Sequence, residues 1–453
     1  MERLRWRLLR FEHAATRVLR QRFTPAGQAA LAGLTASAIV GVDTNGSMAY
    51  QAFCFLVALL ALSMLASLRF RARFSVQRTL PRFGSAGQPL PYTLVVRNLG
   101  PRLQRGLTLI EETADPRPPF ETFAATKGEE AGRHWFDRLL GWSRWRGLVR
   151  ERSIASVADV ALPDLPAGGA TEVEATLVPA RRGRFKLTGV SITCPDPAGL
   201  FQAVRVEPVE QLVMILPKRY PVPALQLPGR RRYQQGGVAL SSSVGDSSEF
   251  MSLRDYRPGD PLRRIHWRSW AKTGKPIVRE CHDEYFVRHA LILDTFLPPD
   301  ARPSPGGAGF AAFEEAVSVA ASFACSILTQ ESLLDLLFVG AETYCFTAGR
   351  GLGASQQMLE ILASAEPCRT RPFSELRHSV VRRHHTLSGA ICVLLAWDDE
   401  RRKLVSGLQA MGVPVVPMVV TDPASPSGPP KDASGEGCRR LEVGRIAEGL
   451  SRL

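Results

Sequence analysis

The sequence predicts a multidomain protein: a transmembrane helical hairpin, then an immunoglobulin-like β-sandwich, then a doubly wound α/β domain. Three observations predict it. Two charge-free segments, 26–42 and 49–68, are bracketed by arginine clusters. Residues 74–223 carry period-two alternation punctuated by Pro and Gly, the pattern of half-buried strands. From residue 286, short apolar runs ending in acids alternate with helical stretches, the rhythm of a parallel sheet with crossover helices.

At 453 residues the chain can build several cores. Its net charge of +14 suits nucleic acid, an anionic membrane surface or a positive-inside membrane protein. No zinc-finger, RNP or helix-turn-helix pattern occurs, so no nucleic-acid partner is expected. Eight cysteines without a CxxC read as reduced thiols, as on a cytosolic face.

Residues 1–23 are basic and carry Leu4, Trp6, Leu8, Leu9, Phe11, Val18 and Leu19. They predict a short amphipathic helix on the inner leaflet. The basic block is too long for a typical signal-peptide n-region, and no clean A-x-A site precedes a soluble domain. Residues 24–70 are the hairpin. Its second segment, 20 residues long, spans about 30 Å as a helix. The turn at 41–48 holds Asp43 and Asn45 but no Lys or Arg. The positive-inside rule therefore places both termini in the cytoplasm of a multi-pass protein of the bacterial inner membrane. A buried soluble hairpin is the alternative.

Strands are expected at Leu90–Asn98, Thr171–Leu177, Leu187–Thr193 and Gln211–Leu216. Within the sandwich, 131–153 reads as a helical insertion, with Trp135, Leu139, Trp142, Trp145 and Val149 on one side and Arg138, Arg144 and Arg152 on or near the other. Either its aromatic face caps the sandwich, or it lies on the inner leaflet as a second anchor. Residues 217–243 read as a Pro-, Gly- and Gln-rich linker.

The segment 224–285 closes on a run that mixes charge and aromatics unusually finely. Between Ser248 and Glu284 stand Glu249, Arg254, Asp255, Tyr256, Pro258, Gly259, Asp260, Arg264, His266, Trp267, Trp270, Arg279 and Glu280. The expectation is a compact junction in which Arg forks pair with carboxylates and stack on rings. Pro258-Gly259-Asp260 is turn chemistry.

After it, strands are expected at 290–294, 333–339, 390–396 and 413–420, with helices at 310–330, 355–363 and 401–411. Residues 286–422 make this α/β domain, and 423–453 read as a flexible tail, with 423–436 disordered.

The string Glu249-Phe250, Leu253-Arg254-Asp255-Tyr256, Pro258-Gly259-Asp260, Arg264-Ile265-His266-Trp267, Lys272 and Val278-Arg279-Glu280 resembles the signature of a bacterial and archaeal membrane-protein family known only as domain of unknown function 58. Arg181 to Phe185 and Asp196-Pro197-Ala198-Gly199-Leu200-Phe201 resemble that family's approach to the signature. The resemblance implies that the α/β region is von Willebrand A-like. It also implies a MoxR-type AAA+ ATPase as partner, and this chain has no phosphate-binding loop of its own.

A von Willebrand A metal site needs several oxygen ligands at one sheet edge. Asp294, Thr295 and Asp398 are the candidate ligands for a divalent cation, with Thr370 a further possible ligand. The two serine positions after Asp294 are unfilled, so the default is a degenerate scaffold with no cofactor. The spacing of His266, His282 and His289 matches no zinc pattern. Cys281 and His282 are strand neighbours and point to opposite faces. The expected function is a non-enzymatic interaction protein that works with the ATPase in assembly of envelope complexes, with no small-molecule substrate. The alternative is an envelope enzyme using Asp255, Asp260, Glu280 or His266, which must then converge on a cleft.

Overall fold

The computed structural model describes residues 1–40, 48–126, 135–223, 232–233, 239–244, 250–258, 260, 262, 265–286, 288–297, 308–328, 333–348, 352–368, 371–422 and 437–452. The chain divides into two compact units at Lys218–Arg219.

The first unit opens with α1 (Glu2–Arg22), α2 (Pro25–Val40) and α3 (Met48–Leu68). No Gly or Pro interrupts residues 2–24, so α1 runs unbroken. The Thr24 hydroxyl accepts from the Gly27 N–H at 3.0 Å and caps α2, whose first residue is proline. At 21 residues, α3 is long and apolar enough to cross a membrane; α2, at 16, is shorter and packs along it. The hairpin turn, 41–47, lies outside the described residues.

Ten strands follow: β1 (Phe74–Thr79), β2 (Phe83–Ser85), β3 (Leu90–Asn98), β4 (Thr108–Thr113), β5 (Ala155–Val157), β6 (Val160–Ala161), β7 (Ala170–Pro179), β8 (Gly183–Pro195), β9 (Gln202–Glu207) and β10 (Gln211–Leu216). They form a sheet of order β1-β3-β7-β5 and another of order β2-β10-β8-β4-β6, with β9 on β8. Alternate residues point inward along each strand. Tyr92, Leu94 and Val96 of β3 and Leu177 of β7 thus share one core with Leu187, Val190 and Ile192 of β8 and Val213 and Ile215 of β10.

An ion pair crosses this core. Arg78 of β1 donates to both oxygens of Glu111 on β4, at 3.0 and 2.6 Å, and to the Val209 carbonyl at 2.9 Å. The Tyr92 hydroxyl donates to Glu111 at 2.8 Å. Burial first, then the Glu111 charge, pushes the Tyr92 phenol far above its ordinary range.

The insertion differs from the single helix expected over 131–153. It comprises α4 (Phe120–Ala125), α5 (Trp135–Leu140) and α6 (Trp142–Arg152), and Gly141, at φ 70°, breaks α5 from α6. The two short helices therefore do not share one face. Trp145 and Leu148 turn inward, while Trp135, Leu139 and Trp142 stay exposed. Arg144, expected on the outer side, is buried: its Cζ lies 3.8 Å from the Phe123 ring centroid and it pairs with Glu2 at 2.9 Å. The small core of Leu9, Phe123, Trp145 and Leu148 shows that the insertion packs against α1.

The second unit begins with β11 (Arg232–Tyr233), β12 (Ala239–Val244), β13 (Phe250–Asp255), the short helix α7 (Trp267–Thr273) and β14 (Ile277–Phe286). β11, β12 and β13 all pair antiparallel with β14. The stretch 217–243 is therefore not only linker, because strand pairing on β14 recruits part of it.

The α/β part contains β15 (Arg288–Leu293), α8 (Ala308–Leu328), β16 (Leu333–Val339), β17 (Thr343–Ala348), α9 (Leu352–Ala363), α10 (Ser374–Val381), β18 (Gly389–Leu394), α11 (Asp399–Ala410), β19 (Val415–Thr421), β20 (Arg439–Glu442) and α12 (Ile446–Ser451). Strand order is β17-β16-β15-β18-β19-β20, parallel except for edge strand β17. Ala290, Ile292, Cys392 and Leu394 face α10 and α11 through Leu376, Val380, Leu404 and Leu408. Their strand neighbours Leu291, Leu293, Ile391 and Val393, equally buried, take the opposite face, and α8 packs along β15, β16, β18 and β19.

The expected flexible tail is corrected at its end: β20 extends the sheet, and Leu441, Ile446 and Leu450 are buried. Residues 423–436 lie outside the described residues.

Candidate functional site

Two loci in the second unit carry the predicted residues. The first is the signature segment. β13 leads into a turn and then α7, and Gly274 at φ 70° ends α7 so that β14 can return. The His266 N–H donates to the Ile277 carbonyl at 2.8 Å, the Tyr256 N–H to Pro276 at 2.9 Å, and Ile265 and Val278 are buried between the two arms.

Arg254 grips Asp260 with two donors, each at 2.8 Å, and the Arg257 N–H adds a third at 2.9 Å. The Arg254 donors, then the Arg257 amide, hold the Asp260 carboxyl down at about 2. This pair pins the turn. His266 Nδ1 lies 2.6 Å from the Ser269 hydroxyl. Asp255, Pro258 and Arg279 are exposed and Tyr256 is half-buried.

The acids and the histidine thus have separate neighbours. Asp260 is gripped by Arg254, His266 is bonded to serine, and Asp255 faces solvent. Glu249, Gly259 and Arg264 lie outside the described residues, as do the side chains of Glu280, Cys281, His282, Asp283 and Glu284.

The expectation of a compact, mutually stacked junction is corrected in one respect. Trp267 is 63% exposed and stacks on Trp270 at 5.2 Å between centroids. Leu262 is 67% exposed, Leu253 is exposed, and Arg268 and Lys272 of α7 face solvent. A helix of seven residues between two turns cannot bury both faces, so it stacks its aromatics and leaves one side open.

The second locus is the C-terminal edge of the parallel sheet. Asp294 follows β15 and is fully buried. One of its oxygens accepts from the Phe296 N–H at 2.9 Å and from Arg401 at 3.2 Å. The other accepts from the Leu395 N–H at 3.0 Å and from Arg401 Nε at 2.6 Å. A carboxylate has about four acceptor sites, so Asp294 is filled.

Asp398 caps α11, accepting from the Arg401 N–H at 3.0 Å, and its second oxygen takes a short bond from the Arg401 guanidinium. That guanidinium also donates to the Phe296 carbonyl at 2.7 Å and lies 4.8 Å from the Phe373 ring centroid. Burial opposes its charge, but Asp294 and Asp398 outweigh burial and raise it above its ordinary value. The Thr295 hydroxyl donates to the Val339 carbonyl. Thr370 lies outside the described residues.

The predicted acid pair therefore does converge, and it converges on Arg401, which the sequence reading placed only at the start of a helix. A signal was available. Arg401 stands in the first turn of α11, where the helix dipole disfavours a cation unless an acid holds it.

His289, once weighed for zinc, is buried in β15. Its Nδ1 has no hydrogen-bond partner among the described residues, and burial lowers it to about 4. No group of three or more His, Cys, Asp or Glu side chains with metal-site geometry occurs among the described residues. A basic cleft of about 560 Å³ lies between α10 and β17, lined by Thr343, Glu375, His378, Ser379, Arg382 and Arg383. It contains none of the predicted residues.

Residues 252–429 match the family model described as "Protein of unknown function DUF58". A curated relative, the uncharacterised protein YeaD of Bacillus subtilis (strain 168), is 27% identical over 197 residues, 43% of this chain and 45% of the relative. The match thus takes in under half of that relative's length. Among solved structures, the CARDB domain of the PF1109 protein of Pyrococcus furiosus is 9% identical, covers 32% of this chain and 89% of that chain, and has a TM-score of 0.18. The ASH/PapD-like domain of human CEP192 is 12% identical, with coverage of 32% and 85% and the same score.

Proposed function

We propose that this chain, a member of the DUF58 family, is a membrane-anchored docking protein whose signature segment receives a protein partner on its exposed face. One observation carries the reading. Trp267, Leu262 and Leu253 are exposed in one segment with the exposed Arg268, Lys272 and Arg279, and Arg254 and Asp260 pin its turn. Exposed tryptophan flanked by arginine is the composition of interface hot spots. The basic rim favours a partner that offers an acidic edge around an apolar pocket. A MoxR-type AAA+ ATPase is the candidate, and it would supply energy for assembling envelope complexes.

In this reading the two-sheet core is immunoglobulin-like and the α/β sheet is von Willebrand A-like. Arg401 takes the place at the sheet edge that a divalent cation holds in a metal-binding relative. The apolar hairpin α2–α3 spans the bacterial inner membrane, with both termini cytoplasmic. The separation of Asp255, Asp260 and His266 favours docking over the enzyme alternative.

The test is retention of a purified MoxR-type ATPase by the full-length chain in nanodiscs. Wild type should retain it, and Trp267→Ala with Arg268→Ala should lose it while keeping the wild-type melting temperature. Equal retention by both chains, or by neither, overturns the proposal. For topology, a cysteine at Ser47 should react with an impermeant reagent from outside the cell and one at Ser75 should not; the reverse pattern sinks the orientation.

A further inference from the structure

Helix α1 has two apolar sides, and among the described residues one of them is packed and the other is exposed. The packed side is fixed at several points. Leu9 is buried against Phe123, Trp145 and Leu148. Trp6 Nε1 donates to the Pro118 carbonyl at 3.0 Å, Glu2 pairs with Arg144 at 2.9 Å, and Arg17 and Gln21 both bond Glu112. At about 100° per residue these positions cluster around Leu9, His13 and Arg17.

Leu4, Leu8, Phe11 and Val18 fall on the opposite side, within an arc of about 80°. They are 71%, 53%, 75% and 56% exposed. Because the docked side is locked by ion pairs, the helix cannot roll to hide this stripe. Arg7 and Arg22 are exposed beside and within it, while the exposed Arg3 and Arg10 lie toward the docked side, over the Phe120 and Trp6 rings.

The place of α1 in the chain says what covers the stripe. α1 ends at Arg22 and α2 begins at Pro25. The joint between them is held: the Thr24 N–H donates to the Leu200 carbonyl at 3.1 Å, the Thr24 hydroxyl to the Gly199 carbonyl at 2.5 Å, and the Phe23 and Phe201 rings meet at a tilt with centroids 4.4 Å apart. α1 is therefore kept within two residues of the point where the apolar hairpin begins. A helix with an apolar stripe, exposed arginines beside and within it and that position has the composition of one lying in the headgroup region of an anionic leaflet.

We propose that the Leu4–Leu8–Phe11–Val18 stripe of α1 is a lipid-contact surface, seated in the anionic leaflet that the hairpin enters. It holds the first unit against the membrane by its side as well as by its anchor. The proposal goes beyond partner docking and rests on the membrane reading of α2 and α3.

The experiment places a photo-crosslinking amino acid singly at Leu8, Phe11, Thr16 and Leu62 of the full-length chain. Each variant is reconstituted in nanodiscs of phosphatidylethanolamine and phosphatidylglycerol. Thr16 is exposed on α1 but off the stripe, and Leu62 is exposed on α3. Lipid adducts at Leu8 and Phe11 should exceed those at Thr16 by about fivefold or more. Adducts at Leu62 without adducts at Leu8 and Phe11 overturn the proposal and leave the hairpin in the membrane. No adducts at Leu62 either would remove the membrane reading on which it rests. Equal yields at Leu8, Phe11 and Thr16 mean undirected proximity and overturn it. Adducts to a second copy of the chain overturn it in favour of a dimer contact.

Discussion

Two arginine–aspartate pairs in the second unit use the same chemistry for different ends. Arg401–Asp294 is sealed, with side-chain exposures of 5% and 0%, and backbone amides fill what the guanidinium leaves. Arg254–Asp260 is two-pronged as well, but it sits at the surface, at 21% and 13%. In the first pair the missing water is replaced by a complete set of protein partners, so the charges fix where a strand end, a helix cap and a loop carbonyl meet. In the second, water still screens the pair, so it shapes a turn without governing the fold. The difference teaches that a carboxylate facing an arginine marks a site only when acceptor positions remain open, and that the open surface here lies on tryptophan.

The hardest way to break the comparison is Arg401→Ala. It strands a buried carboxylate, and the expected loss is about 3–5 kcal/mol, read from urea unfolding of the detergent-solubilised chain. Arg401→Met with Asp294→Leu should regain much of that loss. If the single variant unfolds like wild type, the pair is not the keystone of the sheet edge. Calorimetry on the wild-type chain should show no micromolar magnesium binding, because Asp294 has no acceptor site left; binding lost in Asp294→Ala would contradict this.

The next largest effect concerns His289. Burial lowers its folded value to about 4 from an ordinary 6.5. The unfolded chain therefore takes up a proton that the folded chain refuses. Stability is full above about pH 6.5 and falls as pH drops toward 4, by up to about 3 kcal/mol. His289→Leu should flatten this stretch of the stability–pH curve, and an unchanged slope would show that the imidazole finds a partner.

Smaller still is the surface pair. Asp260 is held at about 2 against an ordinary 3.8, so its support for the turn is complete above the ordinary value and is lost as pH falls through 2. Amide exchange at Arg257 should accelerate over that window, and Asp260→Asn should remove the pH dependence while leaving global unfolding in place. The smallest effect is expected at Trp267→Ala, within about 0.5 kcal/mol in unfolding. A large loss there would mean the tryptophan is core and would collapse the contrast between the two loci.

Much of the fold was legible because period decides it. The alternation in Thr171–Leu177 could only be a half-buried strand, and the run ending at Asp294 could only be a covered one. Asp294 was legible as a strand-end acid, and Asp398, expected at a strand end, is instead the cap of α11 four residues beyond β18. Arg401 was not legible, because it stands among Asp399, Glu400, Arg402 and Lys403, and a charge run reads as a solvated face. Edge strand β17, paired antiparallel, broke the strand–helix rhythm used to count elements. The pairing of α1 with the insertion was hidden for another reason. Arg144 and Glu2 stand 142 residues apart, and a buried arginine over Phe123 has no sequence signature. The same blindness placed Arg144 on the outer side of its helix.

The joint at Thr24 has a mechanical meaning. Gly27 lies so close to the 196–201 turn that a Cβ there would stand 2.0 Å from the Leu200 carbonyl oxygen. The turn is stiffened from within: the Asp196 carboxylate, which burial would push up, is held below its ordinary value by the N–H groups of Phe201, Ala198 and Leu200. A tethered domain on a slack linker absorbs tugging by swinging. In the membrane-anchored reading this joint leaves no slack between the two-sheet core and the hairpin, so a pull on that core would reach α2 as torque, as through a lever rather than a leash.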